Sequence, residues 1–177
     1  CQIPLLLPLT CSLAIRLWQD LCEQSSKVAT FRMTNPILCP EGVQLGVTVS
    51  SREEAVRLAG AQLVALDAVA SEYVDAMWER EQILSSYIGE GVAIPHGTDA
   101  SRVHVKKAQL AIQRFAQPID WDGEEVIMTV AIASASDEHV QVLGALAEAL
   151  LDDGSKKILL TSEDVNEIVK LLVEAFG

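Results

Sequence analysis

Apolar positions change their period several times along this chain, and each change marks an element. "VQLGVTV" (residues 43–49) is short and β-branched, which predicts a strand. "SSREEAVRLAGAQLVALD" opens with Ser51 and Glu54 at the spacing of a capping box. It then repeats apolar residues at helical spacing, so a helix is predicted. "SEYVDAMWEREQILSS" predicts a second helix with Ser71 as its N-cap. "YIGEG" reads as a glycine-rich turn and "VAI" as a short strand. "KKAQLAIQRFAQPIDW" reads as a strand with a turn at Gln117–Pro118. "EEVIMTVAIASA" is a continuous apolar run, the pattern of a strand buried on both faces. "SDEHVQVLGALAEALLDD" predicts a helix N-capped by Ser136, with two acids in its first turn. "KKILLT" predicts a last short strand, and "SEDVNEIVKLLVEAF" an amphipathic helix. The alternation predicts an α/β sandwich, a β-sheet covered by helices.

The first 32 residues do not share this pattern. "CQIPLLLPLTCSLAI" is apolar, but it holds two prolines and is too short to span a bilayer. It also lacks the charged start and the cleavage site of a signal peptide. Met33 is followed by "TNPILCPEG", which looks like the start of a domain. The expectation is that residues 1–32 lie upstream of the start or form an appendage, and that 33–177 form the functional domain. The competing reading is a helical arm, since "LAIRLWQDLCEQ" has weak helical periodicity.

Charge and cysteine usage narrow the function classes. A net charge of −12 over 177 residues argues against nucleic acid and against anionic membrane surfaces. It suits a protein that meets a basic partner. The four cysteines, Cys1, Cys11, Cys22 and Cys39, fit no zinc pattern and all lie in the first quarter of the chain. A reducing, cytoplasmic setting is expected.

Three residues sit where packing alone would not put them. Tyr73, Met77, Arg80 and Leu84 share one helical face, so Arg80 interrupts an apolar stripe. If buried, it needs an anion; the alternative is that it reaches solvent or pairs with a nearby acid. His139 shares a face with Leu143, Leu146 and Leu150, in the first turn of its helix, where anions are favoured; the alternative is a satisfied core histidine. His96 stands in "GEGVAIPHGTD", after a short strand and between Pro95 and Gly97. Pro95 restricts the backbone before the ring, and Gly97 lets the chain turn or lets a bulky group come close. A loop histidine framed in this way is displayed rather than packed. His104, in "SRVHVKKA", reads as a surface residue.

"SSYIGEGVAIPHGTD", with "EREQ" before it and "SASDEHVQVLGALAEAL" after it, resembles enzyme IIA of the mannitol and fructose type in the bacterial sugar phosphotransferase system. The resemblance runs from about Met33 to the C-terminus. It implies a mixed β-sheet covered by helices, a phosphoryl group accepted on Nε2 of His96, and His139 and Arg80 standing beside it. It further implies a phosphohistidine carrier protein as donor and a cysteine of a separate enzyme IIB as acceptor, for mannitol or fructose uptake. No nucleotide, metal or other cofactor, no nucleic acid and no membrane insertion are expected. Ile94, Val140 and Leu143 are candidates for an apolar patch at which partners dock.

The residue types suit that chemistry. A neutral imidazole is nucleophilic near neutral pH. Arg80 offers a charged fork for phosphate oxygens, and His139 can donate from a ring nitrogen. A regulatory, nitrogen-type enzyme IIA that signals by its phosphorylation state is an alternative. A metal hydrolase using His96, His104 and His139 is another, but no metal-ligand spacing occurs.

Overall fold

Trp121 and Glu124 face each other across the two-residue turn Asp122–Gly123, where both residues have positive φ, 58° and 92°. This is the type I′ geometry that an Asp-Gly pair favours. It folds β4 (Gln109–Trp121) against β5 (Glu124–Ala133). The same geometry recurs at Glu90–Gly91, with φ of 54° and 74°, between antiparallel β2 (Tyr87–Gly89) and β3 (Val92–Ala93). "YIGEG" is therefore half strand; only its Glu90–Gly91 pair turns. The structure, a computed structural model, describes residues 37–135 and 138–176, with side chains left undescribed at 138–141 and 176. Residues 1–32 lie outside the described part.

The five strands form one mixed sheet in the order β1-β4-β5-β3-β2, where β1 is Val43–Val47. β1 runs parallel to β4 and β3 parallel to β5. The turn expected at Gln117–Pro118 is absent. β4 continues through it as a bulge, its register against β5 shifting between Arg114 and Ile119. Proline has no N–H to give a ladder, so a bulge accommodates it without ending the strand.

Five α-helices among the described residues accompany the sheet. Ser51 caps α1 (Arg52–Ala65), its hydroxyl accepting from the Glu54 N–H at 3.2 Å. The Glu54 carboxylate reaches back to Ser50, to the N–H at 2.7 Å and the hydroxyl at 2.6 Å. Ser71 does not cap α2 (Glu72–Ile83). Its own backbone is already helical (φ −58°, ψ −32°), whereas a cap needs an extended residue, and its hydroxyl donates to Glu72 instead. The helix also ends before Leu84, which is exposed. α3 is Glu138–Leu151, and its expected cap, Ser136, lies outside the described residues. The strand expected at "KKILLT" is a helix, α4 (Asp153–Thr161), capped by Asp152 accepting from the Ser155 N–H at 2.8 Å. A short apolar run does not by itself tell strand from helix, and here the cap decides. α5 is Val165–Phe176.

Burial is continuous along Gln109–Phe115 of β4 and Met128–Ala133 of β5, so the sheet has two covered faces. Ala111 and Phe115 of β4, with Ala131 and Ala133 of β5, join Ala55, Val56, Ala59 and Leu63 of α1 and Tyr73 and Met77 of α2 in one core. The intervening residues Leu110, Ile112, Met128 and Val130 are equally buried and point the other way. Helices α3, α4 and α5 supply Leu146, Leu159, Ile168 and Leu172, all buried, and α5 packs on β1. Arg114, on that second face, donates to the Ser162 carbonyl at 2.5 Å and to Glu163 at 3.0 Å, tying the α4–α5 link to the sheet. The result is the helix-covered mixed sheet that the sequence predicts. No helix among the described residues is long and apolar enough to cross a membrane.

Candidate functional site

The chain leaves β3 through Ile94 and Pro95, both buried, and His96 follows. His96 makes an isolated parallel bridge to Ile132, whose N–H donates to the Pro95 carbonyl at 3.1 Å, so the sheet's ladder extends to the histidine. The backbone that carries the ring is thus held by the end of β5. The ring is held as well: Nδ1 lies 2.8 Å from the carbonyl oxygen of Ile94. A carbonyl can only accept, so Nδ1 carries the proton. In the neutral ring the lone pair is then on Nε2.

Gly97 is the next fixed point. A Cβ there would meet Ser101 Oγ at 2.3 Å and the Tyr73 ring at 2.5 Å. The bulky group that a glycine admits beside the histidine is therefore the Tyr73 phenol. Its hydroxyl donates to the Ile132 carbonyl at 2.9 Å and accepts from the Gly97 N–H at 3.0 Å. One buried side chain on α2 thereby links the end of β5 to the loop that follows His96. Burial pushes the Tyr73 phenol above its ordinary pKa, partly offset by the Gly97 N–H and the nearby Arg102 charge.

These residues line a cleft of about 310 Å³, together with Arg80 of α2, Asp99 and Arg102 of the 3₁₀ segment Asp99–His104, and Ser134 beyond β5. Arg80 is half-buried and donates to the Leu84 carbonyl at 2.5 Å, with no carboxylate partner among the described residues. The charge that interrupts the apolar stripe is thus turned into the cleft. Among the described residues, two guanidiniums and one carboxylate line it, so these side chains give the cleft a net positive lining in an acidic protein.

The structure brings His96 and Arg80 together. His139 is in the first turn of α3, which begins a short link beyond Ser134, but its side chain lies outside the described residues. His104 is half-buried at the end of the 3₁₀ segment and does not line the cleft. Ile94 is 1% exposed and supplies no surface patch, because its side chain belongs to the sheet core. Leu143 is half-buried, and the side chain of Val140 lies outside the described residues. Exposed apolar side chains near the cleft are instead Ile83 and Leu84, after Arg80, and Val103, after Arg102. Sequence reasoning missed Arg102 and the role of the Tyr73 hydroxyl. Arg102 sits in a polar loop with no periodicity to break, and Tyr73 reads as one more member of an apolar stripe.

Residues 36–175 match the family described as phosphoenolpyruvate-dependent sugar phosphotransferase system, EIIA 2. The chain belongs to this family. It is 35% identical over 142 residues to the mannitol-specific phosphotransferase enzyme IIA component of Halalkalibacterium halodurans, covering 80% of this chain and 98% of that protein. It is 37% identical over 135 residues to the mannitol-specific EIICBA component of Vibrio cholerae, where the match covers 75% of this chain but spans only 21% of the longer relative. The crystal structure of the mannitol IIA of Escherichia coli superposes with a TM-score of 0.70 at 34% identity, covering 76% of this chain and 97% of that one. A second Escherichia coli structure, the mannitol IIA in complex with phosphorylated enzyme IIB, gives 0.69 at 33% identity, covering 76% and 95%. As an EIIA chain, the protein is a phosphotransferase component with the fold of those mannitol IIA structures.

Proposed function

We propose that this EIIA chain accepts a phosphoryl group on Nε2 of His96 from the phosphohistidine carrier protein and passes it to a cysteine of enzyme IIB, in mannitol uptake in the cytoplasm. The observation that carries the reading is the fixed imidazole: the Nδ1 proton is held by the Ile94 carbonyl, which leaves the Nε2 lone pair as the nucleophile. In the first transfer this lone pair attacks phosphorus, an N–P bond forms, and the bond to the donor nitrogen breaks. In the second, a thiolate attacks, an S–P bond forms, and the electron pair returns to Nε2. Little covalent chemistry is asked of the protein beyond positioning and charge stabilisation. Arg80 meets phosphoryl oxygens with a guanidinium fork, and His139 donates to them from the first turn of α3. The mannitol assignment rests on the names of the relatives. The IIB acceptor is supported by the Escherichia coli complex and by the component named EIICBA.

The test is phosphoryl labelling of the wild type and His96→Ala with the general phosphotransferase proteins. Acid-labile label is expected in the wild type and absent from the variant. Equal labelling of both would overturn the reading.

A further inference from the structure

Arg102 shares the cleft with His96 and Arg80, and one of its partners is a solvent-exposed carboxylate. Its guanidinium lies 3.0 Å from Asp99, one 3₁₀ turn earlier. The Arg102 side chain is 34% exposed, whereas the Asp99 side chain is 93% exposed. An ion pair with so wet a carboxylate is worth little, because water and salt screen it. The backbone beneath is fixed. Ser101 is buried, its N–H and hydroxyl both donate to the Thr98 carbonyl, at 3.0 and 2.7 Å, and the Val105 N–H donates to the Arg102 carbonyl at 3.1 Å. A solvent-exposed counter-ion thus stands beside a guanidinium whose backbone is fixed. The Arg102 charge already reaches the Tyr73 hydroxyl, which holds the loop that follows His96.

We propose that Arg102 is a second phosphoryl-binding residue, which exchanges Asp99 for the phosphoryl oxygens when His96 is phosphorylated. The inference rests on His96 being the acceptor. A phosphoryl group brings roughly two negative charges and three acceptor oxygens into the cleft. It is less screened there than Asp99 is in open solvent, and its oxygens match the planar fork of a guanidinium. Asp99 then acts as the competitor. By claiming the same guanidinium it limits how tightly the phosphoryl group is held, which suits a carrier that must give its cargo away. No bond is made or broken in the exchange.

The experiment is ³¹P NMR of the full chain phosphorylated directly with phosphoramidate, which needs no partner protein. The readout is the pH midpoint at which the phosphoryl group takes up its proton. A neighbouring cation favours the dianion and lowers this midpoint. Arg102→Gln is expected to raise it by about one unit. Arg102→Lys should restore most of the wild-type value, since it keeps the charge, and Asp99→Asn should lower the midpoint further. Arg57→Gln, on the exposed face of α1, serves as the charge-loss control. A midpoint in Arg102→Gln equal to that of the wild type and the control would overturn the proposal. A wild type without a phosphohistidine signal, or a signal that persists in His96→Ala, would instead defeat the phosphocarrier reading itself, and this inference with it.

Discussion

The indole of Trp121, fully buried on β4, donates its Nε1 hydrogen to Glu81 Oε1 at 2.8 Å. Glu81 directly follows Arg80, and the same oxygen accepts from the Ser86 N–H at 3.0 Å, with the Arg52 guanidinium 4.0 Å away. Ser86 in turn receives the Ile94 N–H at its carbonyl, 2.9 Å away. A buried carboxylate therefore joins the end of α2, the approach to β2 and the strand that leads to His96. Trp121→Phe removes one donor from this carboxylate and leaves a gap in the core. The expected cost is about 2 kcal/mol, in the range for a hydrogen bond to a charged group. Urea unfolding should show a lowered midpoint, while the folded protein still accepts phosphate on His96.

Gly97 should tolerate no side chain. In Gly97→Ala the new methyl must displace Ser101 or the Tyr73 ring, both within 3 Å of it. His96 would move with the loop, and a misplacement of about 1 Å can cost ~10²-fold in rate. The variant should fold, with a loss in phosphoryl acceptance far larger than its loss in melting temperature.

Tyr73→Phe leaves the Gly97 N–H and the Ile132 carbonyl without the hydroxyl that bridges them. A stability loss of about 1–2 kcal/mol is expected. The same residue makes an alkaline prediction. Its folded-state pKa is raised by burial above the ordinary value of 10.0, so the folded protein holds the phenolic proton more tightly than the unfolded chain. The resulting stabilisation is fully present below pH 10 and is lost as pH rises through the raised value. Denaturant midpoints between pH 9 and 12 should fall more steeply for the wild type than for Tyr73→Phe.

His139→Ala and Arg80→Lys separate support from nucleophile. Both keep His96 and should still take up phosphate. Transfer should slow, by ~10²–10³ if a positioned donor is removed. An ammonium at position 80 would not reproduce the two-pronged contact of a guanidinium. Rapid-quench transfer rates equal to wild type in both variants would show that neither side chain meets the phosphoryl group.

A chain that begins at Met33 should fold and accept phosphate like the full chain, since the family match begins at residue 36. Its thermal unfolding, compared with that of the full chain, checks this; a large drop in melting temperature would assign the first 32 residues to the core.

The elements most legible in the sequence were those with one strong period. α5 and the buried strand β5 follow from their apolar spacing alone, and α1 from the same kind of spacing together with its Ser51–Glu54 capping box. "KKILLT" failed because three aliphatic residues fit either period, and the deciding Asp152–Ser155 cap lies upstream of the run. Gln117–Pro118 failed because proline's local preference for a turn was overridden by the pairing of β4 with β5 on either side. The Asp122–Gly123 pair carried a strong hairpin signal that went unread. At the site, His96 was legible from its Pro-His-Gly frame, and Arg80 because it broke a stripe. The Tyr73 hydroxyl was not, since an apolar period is silent about what the far end of a side chain does. Nor was Arg102, whose placement beside His96 comes from the course of a loop.

Both margins of the sheet are its weakest lengths of ladder. β1 is interrupted by a shift at Gly46, where φ is 70°, and β2 has three residues before the chain reverses. Short, broken margins give an incoming strand little to pair with, which guards against edge-to-edge aggregation. They also leave strand addition a poor route for recognition. A visiting protein must therefore make its contacts with side chains around the cleft. Such contacts can be undone quickly, and the proposed transfer from a donor to enzyme IIB needs that turnover more than it needs tight binding.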